Sequence, residues 1–228
     1  MKLEILDSYN IRVRLSSSII LFSPFIITLF LCFKDSVSFF SSSVILGVFI
    51  AFTNYIPMIQ RRMYKNRKNL YSCPAASLLY KEDKTFDSIT KQRFYNKLAK
   101  IDDSFSAFNH PTNSDDFHNC CESATIYLKS HSRNDHLLLE ENINYGLCKN
   151  LLTNKKLGIL FTVLNIFFLS LFSYFHFKSL SVIPSNYWIT FILSCFILLF
   201  WIFGVNKTIT DDASKRYAKA LIQSIDSL

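Results

Sequence analysis

Three sets of residues have the types and spacing to carry chemistry. Lys91, Arg93, Lys97 and Lys100 lie within ten positions of one another on a stretch that reads as helix. Cations so placed either contact the phosphates of a nucleotide or oligonucleotide, receive a partner protein, or form a plain solvated face. Cys120 and Cys121 are adjacent, with His110, His118, His131 and His136 nearby. The residue types suit zinc, but the spacing matches no zinc pattern, and helix-buried cysteines beside surface histidines are the alternative. The third set consists of hydroxyls and amides inside otherwise apolar runs: Ser23, Thr28, Thr53, Asn54, Thr162, Asn165, Ser170, Ser173, Thr190 and Ser194. Such groups either hydrogen-bond from helix to helix or line a wet path through an oligomer. Asn165 is the foremost of them, because an amide about two turns into an apolar helix must find a partner.

The chemistry that is absent narrows the classes. The chain has no Gly-rich phosphate loop, no dinucleotide fingerprint, no H-E-x-x-H and no G-x-S-x-G, and its four glycines leave little for a phosphate cradle. The apolar runs carry no Asp, Glu, Lys or Arg within them. Intramembrane ionisable groups usually mark proton-coupled transport and intramembrane hydrolysis, so neither is expected. An enzyme, a cofactor and a metal centre are therefore not expected.

The elements that must position these residues follow from composition. Half of the chain is hydrophobic and Phe alone occurs 23 times, which a soluble fold of this length would struggle to bury. The apolar residues fall in four blocks, residues 16–33, 37–59, 157–177 and 187–205, each about 18 to 23 residues long. As helix at about 1.5 Å per residue, each crosses roughly 30 Å of hydrocarbon. The first block is not expected to be a cleaved signal, since no small-residue cleavage site follows and a second block comes after only Lys34-Asp35-Ser36. The expected fold is all-α: four transmembrane helices in two hairpins flanking a cytoplasmic helical insert. The expected division is residues 1–15 as an N-terminal segment, 16–59 and 157–205 as the membrane hairpins, 60–156 as the insert and 206–228 as a C-terminal helix.

Charge sets the expected topology. Arg12 and Arg14 precede the first block, and Arg61, Arg62, Lys65, Arg67 and Lys68 follow the second. Lys149, Lys155 and Lys156 precede the third, and Lys207, Lys215, Arg216 and Lys219 follow the fourth, against Lys34 and Lys178 on the other side. Cations near span ends stay in the cytoplasm, so both termini and the insert are expected inside. Anionic lipid headgroups then account for much of the net charge of +8, in place of nucleic acid. Six cysteines without a C-x-x-C pair point to reduced thiols.

Within the insert, Pro74 opens a short helix over 75–80. Asp87 or Ser88 caps a helix over 89–101, with Ile89, Phe94, Leu98 and Ile101 as its apolar stripe. Residues 102–114 read as a loop, and Asp115 or Asp116 caps a helix over 117–130 with Phe117, Cys120, Cys121, Ala124, Tyr127 and Leu128 at helical spacing. From Asn134-Asp135 a helix runs nearly unbroken into the third block, with Gly146 beside Tyr145 as a point of close approach, a hinge, or a chance glycine.

This layout, with the run Asn144-Tyr145-Gly146 and then Lys149-Asn150-Leu151 ahead of the third block, resembles the small bacterial four-span membrane proteins of two-gene antiphage defence systems, of Hailong and Kiwa type. Cys148 stands where that motif often reads Arg, so one cation of the pattern is missing. The resemblance implies an inner-membrane effector without a cofactor. Its subunits assemble as a homo-oligomer, a tetramer, among membrane lipids, and open or permeabilise the membrane when the cytoplasmic helices meet a cytosolic partner protein or a nucleotide-type signal. Tyr145, Gly146 and Asn150 are then expected at the gating contact. A non-conducting anchor that recruits a cytosolic partner, and an accessory subunit of an envelope transporter, are the other two readings.

Overall fold

The computed structural model describes residues 9–33, 74–108, 114–132, 135–177 and 182–227. The expected second span (37–59), with Thr53 and Asn54, lies outside the described residues, as do the basic run 61–68, Lys34, Lys178, Cys73 and His110. What is described is helical, with no strand among the described residues. The helices are α1 (Ser16–Cys32), α2 (Ala75–Leu78), α3 (Ser88–Ile101), α4 (Ser114–His131), α5 (His136–His176), α6 (Ser185–Leu199) and α7 (Lys207–Gln223). A π-helical turn, Asn10–Leu15, leads into α1 and another, Phe200–Gly204, prolongs α6. Three stretches, Arg12–Cys32, His136–His176 and Ser185–Gly204, are long and apolar enough to cross a membrane.

The chain forms two compact units: residues 1–68 with 146–209, and residues 69–145 with 210–228. Residues 210–223 of the C-terminal helix fall in the second unit, and residues 146–156 fall in the first.

The apolar unit is built inside out for water. Phe167, Phe175, Phe196 and Phe203 are each at least 60% exposed, whereas Thr162, Asn165, Thr190 and Ser194 are fully buried. Apolar side chains outside and hydroxyls inside is the distribution that hydrocarbon as solvent requires, and it is that of a membrane protein. Its core gathers Leu21, Trp201 and Val205, flanked by Leu151, Ile159 and Phe161. Pro24 within α1 supplies no N–H to the carbonyl of Ile20. The Ser23 hydroxyl donates to that carbonyl instead, at 2.9 Å, so the helix crosses the proline without an orphaned acceptor.

In the polar unit an aromatic cluster packs beside buried aliphatic side chains such as Leu79, Leu98, Leu128 and Leu221. Tyr95 stacks on Phe108 at 5.1 Å, and Phe117 meets both edge-on at 5.6 Å. Phe108 and the buried Phe105 come from a 3-10 turn, Asp103–Phe108, in the stretch that reads as loop in the sequence. Asp102 starts it by accepting from the backbone N–H of Ser104 at 2.8 Å, so the same Asp and Ser content that signals a loop here nucleates a turn carrying two core phenylalanines. Helix α4 begins at Ser114, slightly before its expected start, and buries Phe117, Cys120, Cys121, Ala124, Thr125 and Leu128. Asp135 caps α5 through the N–H of Leu138, at 3.1 Å, and α5 then runs unbroken for 41 residues.

Candidate functional site

The first assembly lies among the apolar helices. Asn165 of α5 uses both ends of its amide: Oδ1 accepts from the Thr28 hydroxyl of α1 at 3.0 Å, and Nδ2 donates to Ser194 Oγ of α6 at 3.1 Å. Thr28 also reaches the carbonyl of Pro24, so one hydroxyl proton faces two acceptors. Ser194 donates to the carbonyl of Thr190, and Thr190 to that of Asn186. Further along the same seam Cys32 Sγ donates to Thr190 Oγ1 at 3.4 Å and Asn186 Nδ2 to the carbonyl of Leu31 at 2.6 Å. Thr162 is turned back onto the carbonyl of Gly158. Three helices are thus stitched through one amide. Of the residues expected either to bridge helices or to line a path, Thr28 and Asn165 bridge them here, Ser23 and Thr162 satisfy their own helices, and Asn54 lies outside the described residues.

Replacing Asn165 by Leu deletes two interhelical hydrogen bonds, each worth about 0.6 kcal/mol on average and at most about 1.7 in membrane helices. Thr28 and Ser194 keep carbonyl acceptors on their own helices, so nothing is orphaned. A loss of about 1–2 kcal/mol is expected, read from denaturant unfolding in micelles.

Helix α5 also carries two points of backbone contact. A Cβ on Gly146 would lie 2.7 Å from the Tyr9 hydroxyl and 3.1 Å from Val13 Cγ1. A Cβ on Gly158 would lie 2.3–2.6 Å from three ring atoms of Trp201, which is fully buried. No glycine among the described residues has a positive φ, so Gly146 and Gly158 serve close approach, not backbone freedom. Lys155, one turn before Gly158, donates to the carbonyls of Ile202 and Val205 at 2.8 and 2.7 Å, closing the carbonyl end of the π-turn after α6. Sequence pattern assigned that lysine to the membrane surface by position alone. Tyr145 stacks on Tyr217 of α7 at 5.8 Å, and Asn150 is half-buried on α5.

The second assembly is the basic helix α3. Asp87 caps it, accepting from the N–H and hydroxyl of Thr90 at 2.8 and 2.7 Å, and these bonds hold its carboxyl below the usual range. The four expected cations do not share one face. Lys91 is 5% exposed and turned inward, donating to the carbonyls of Tyr80 and Asp83. Tyr95, one turn on, donates to the carbonyl of Leu79. Together they satisfy the acceptors left where α2 ends. Ile89, expected in the apolar stripe, is 81% exposed. The buried stripe is Lys91, Phe94, Tyr95 and Leu98; at about 100° per residue Ile89 sits about 140° from Phe94, off that stripe.

Arg93, Lys97 and Lys100 do line one open groove, with Ser88, Ile89, Gln92 and Asn96. Arg93 and Lys97 share the carboxylate of Asp226 at 2.7 and 3.3 Å, and Lys97 also donates to the Asp226 carbonyl at 2.9 Å. Asp226 belongs to a terminal 3-10 turn, Ser224–Ser227, pinned by buried Ile225 and by Ser224 on Ser132 at 3.0 Å. No run of charge or period in the sequence marks Asp226 as the partner of α3.

Among the described residues the cysteines and histidines do not converge. Cys120 and Cys121 are buried, and burial raises both thiols, Cys121 to about 12, which keeps them protonated and unreactive. His118 packs on Tyr80 and His131 on Tyr127. No metal-holding group is present among the described residues. Compared with protein families, with curated proteins and with solved structures, the chain has no match.

Proposed function

We propose that the chain is a non-enzymatic effector subunit of the bacterial inner membrane, with both termini inside, acting in antiphage defence. In this reading several copies, a tetramer, form a channel or permeabilising assembly among the lipids. A cytosolic partner or nucleotide-type signal, received on the polar helices, shifts α5. The observation that carries the reading is α5 itself. It is unbroken from His136 to His176, and its two glycines are pressed against Tyr9 and Val13 at one point and against Trp201 at the other. Rotation or sliding of α5 is therefore felt by the start of α1 and the end of α6 at once. The four-span topology expected from the sequence and the Asn144-Tyr145-Gly146 run support the defence setting. A signal moves a resting 1:99 equilibrium to 99:1 only by binding the open state about 5.5 kcal/mol better.

The test is dye-reported depolarisation of cells expressing the chain, with and without phage infection. Wild type is expected to depolarise on infection. Gly146→Ala retains the response, because the far end of the Tyr9 side chain can swing aside, whereas Gly146→Leu inserts normally but loses most of it. Absence of flux from the wild type under every condition overturns the channel. A second reading, a non-conducting anchor that recruits a cytosolic partner, is favoured by one observation: Thr28, Asn165 and Ser194 are consumed by one another and so are not offered to a water path. Partner co-purification without flux selects it.

A further inference from the structure

We infer that the outer face of α3 is the docking surface for an acidic amphipathic helix of a cytosolic partner protein, and that this chain's own Asp226 occupies part of it as an internal competitor. The inference deepens the reading above, on which it rests for calling the partner the activating signal, by naming the chemistry of that partner.

The face runs from Ser88 to Lys100, about 18 Å or three helical turns, a length suited to a short helix laid alongside it. Ile89 stands 81% exposed near one end, an apolar anchor with no core to enter. Arg93, Lys97 and Lys100 follow at intervals of four and three residues, so that they ascend one side of the helix, where the carboxylate of Asp226 meets the first two. That the face takes a carboxylate is visible directly: two of its cations already hold one, donated by a 3-10 turn of another segment.

Phosphate fits less well. The first turn of α3, whose N–H groups would cradle an anion, already carries the Asp87 carboxylate, which takes the N–H of Thr90 and places a negative charge at that end. The Gln92–Asn96 amide pair, bonded at 3.1 Å, and Ile89 occupy the remaining surface and suit a side-chain ridge better than a sugar-phosphate chain. Arg93, Lys97 and Asp226 are 55, 39 and 42% exposed, so their internal pairing is weak enough to exchange for a partner that brings several carboxylates. The terminal turn stays in place during that exchange, because Ile225 and Ser224 hold it independently.

The experiment uses the full chain in detergent and fluorescence anisotropy of a labelled 15-residue peptide with Leu and Glu at helical spacing, beside the same peptide with Gln for Glu and a single-stranded oligouridylate. The Glu peptide is expected to bind about tenfold more tightly than the Gln peptide and to weaken about tenfold in Lys97→Glu. Ile89→Ser is expected to weaken it about threefold, and Asp226→Asn to tighten it about threefold or more. Equal binding of the Glu and Gln peptides, or an unchanged affinity in Asp226→Asn, overturns the proposal. Tighter binding of the oligouridylate with the same dependence on Lys97 overturns it in favour of a nucleic-acid face. Binding is read without any ion flux, so a chain that binds the peptide yet never depolarises cells sinks the channel and leaves the docking face standing, and the reverse result does the opposite.

Discussion

Gly158→Ala destabilises the apolar unit by more than any other single methyl addition on α5, by an amount at the upper end of about 1–3 kcal/mol or beyond it. The new Cβ would stand 2.3 Å from Trp201 Cε2 and 2.4 Å from Cδ2, well inside contact distance. The indole cannot answer by a small swing, because it is rigid, fully buried, and part of the same core as Leu21 and Val205. Relief therefore requires α5 and the π-turn after α6 to part, which also stretches the bonds from Lys155 to the carbonyls of Ile202 and Val205. Gly146→Ala, facing the movable end of Tyr9, is expected to cost much less. The measurement is a double-mutant cycle in micelles with Trp201→Leu. Trp201→Leu alone leaves a cavity and is expected to cost less than the about 3–5 kcal/mol of the larger truncation to Ala. Combined with Gly158→Ala it should cost clearly less than the sum, since the methyl then enters space the indole has left. Strict additivity would mean that the two positions do not touch.

Lys91→Met is expected to cost the polar unit about 1–3 kcal/mol, because it leaves the half-buried carbonyl of Asp83 without its lysine donor and that of Tyr80 with the backbone N–H of Asp83 alone, while preserving the unbranched stem. The charge lies within 3.9 Å of the Asp83 carboxylate, which keeps the N–H of Thr85 but loses the ammonium. Lys97→Met, on the same helix, is expected to cost about 1 kcal/mol or less, since its pair with Asp226 is open to water. Unfolding by denaturant ranks the two variants, and hydrogen exchange over residues 79–95 locates the loss for Lys91→Met. Equal, small effects would show that Lys91 is solvated and that the turn after α2 finds its donors elsewhere.

These contrasts show how much was legible in the chain. Hydrocarbon as solvent imposes a requirement on composition alone, about 20 consecutive residues without charge, so three apolar helices could be located by reading along the sequence. Local capping was legible for the same kind of reason. Asp87 at α3 and Asp135 at α5 bond to N–H groups three residues away, and spacing of three is a property of the chain itself. The stripe of α4 was legible because Phe117, Cys120, Cys121, Ala124 and Leu128 recur at helical spacing, with Tyr127 half-buried at its margin and Ile126 off it and exposed. In α3 the pattern is ambiguous. Ile89 lies off the stripe of Phe94, Tyr95 and Leu98, and the inward position one turn before them falls to Lys91, whose ammonium meets the acceptors at the end of α2.

The candidate sites divide along the same line. That Asn165 must find a partner follows from one buried amide in an apolar run; that the partners are Thr28 and Ser194, 137 and 29 positions away, does not. That α3 is basic is composition; that Arg93 and Lys97 hold Asp226 while Lys91 points inward is packing.

By itself, then, the sequence determined which segments avoid water, where helices begin, and which polar residues need satisfying, because each depends on neighbours within a few positions. Only the tertiary structure decided which lysine is a structural donor and which is a surface charge, why Gly158 cannot carry a side chain, and that the final turn of the chain closes on α3. Those outcomes turn on which atoms of distant segments compete for the same few ångströms, and no local pattern records that competition.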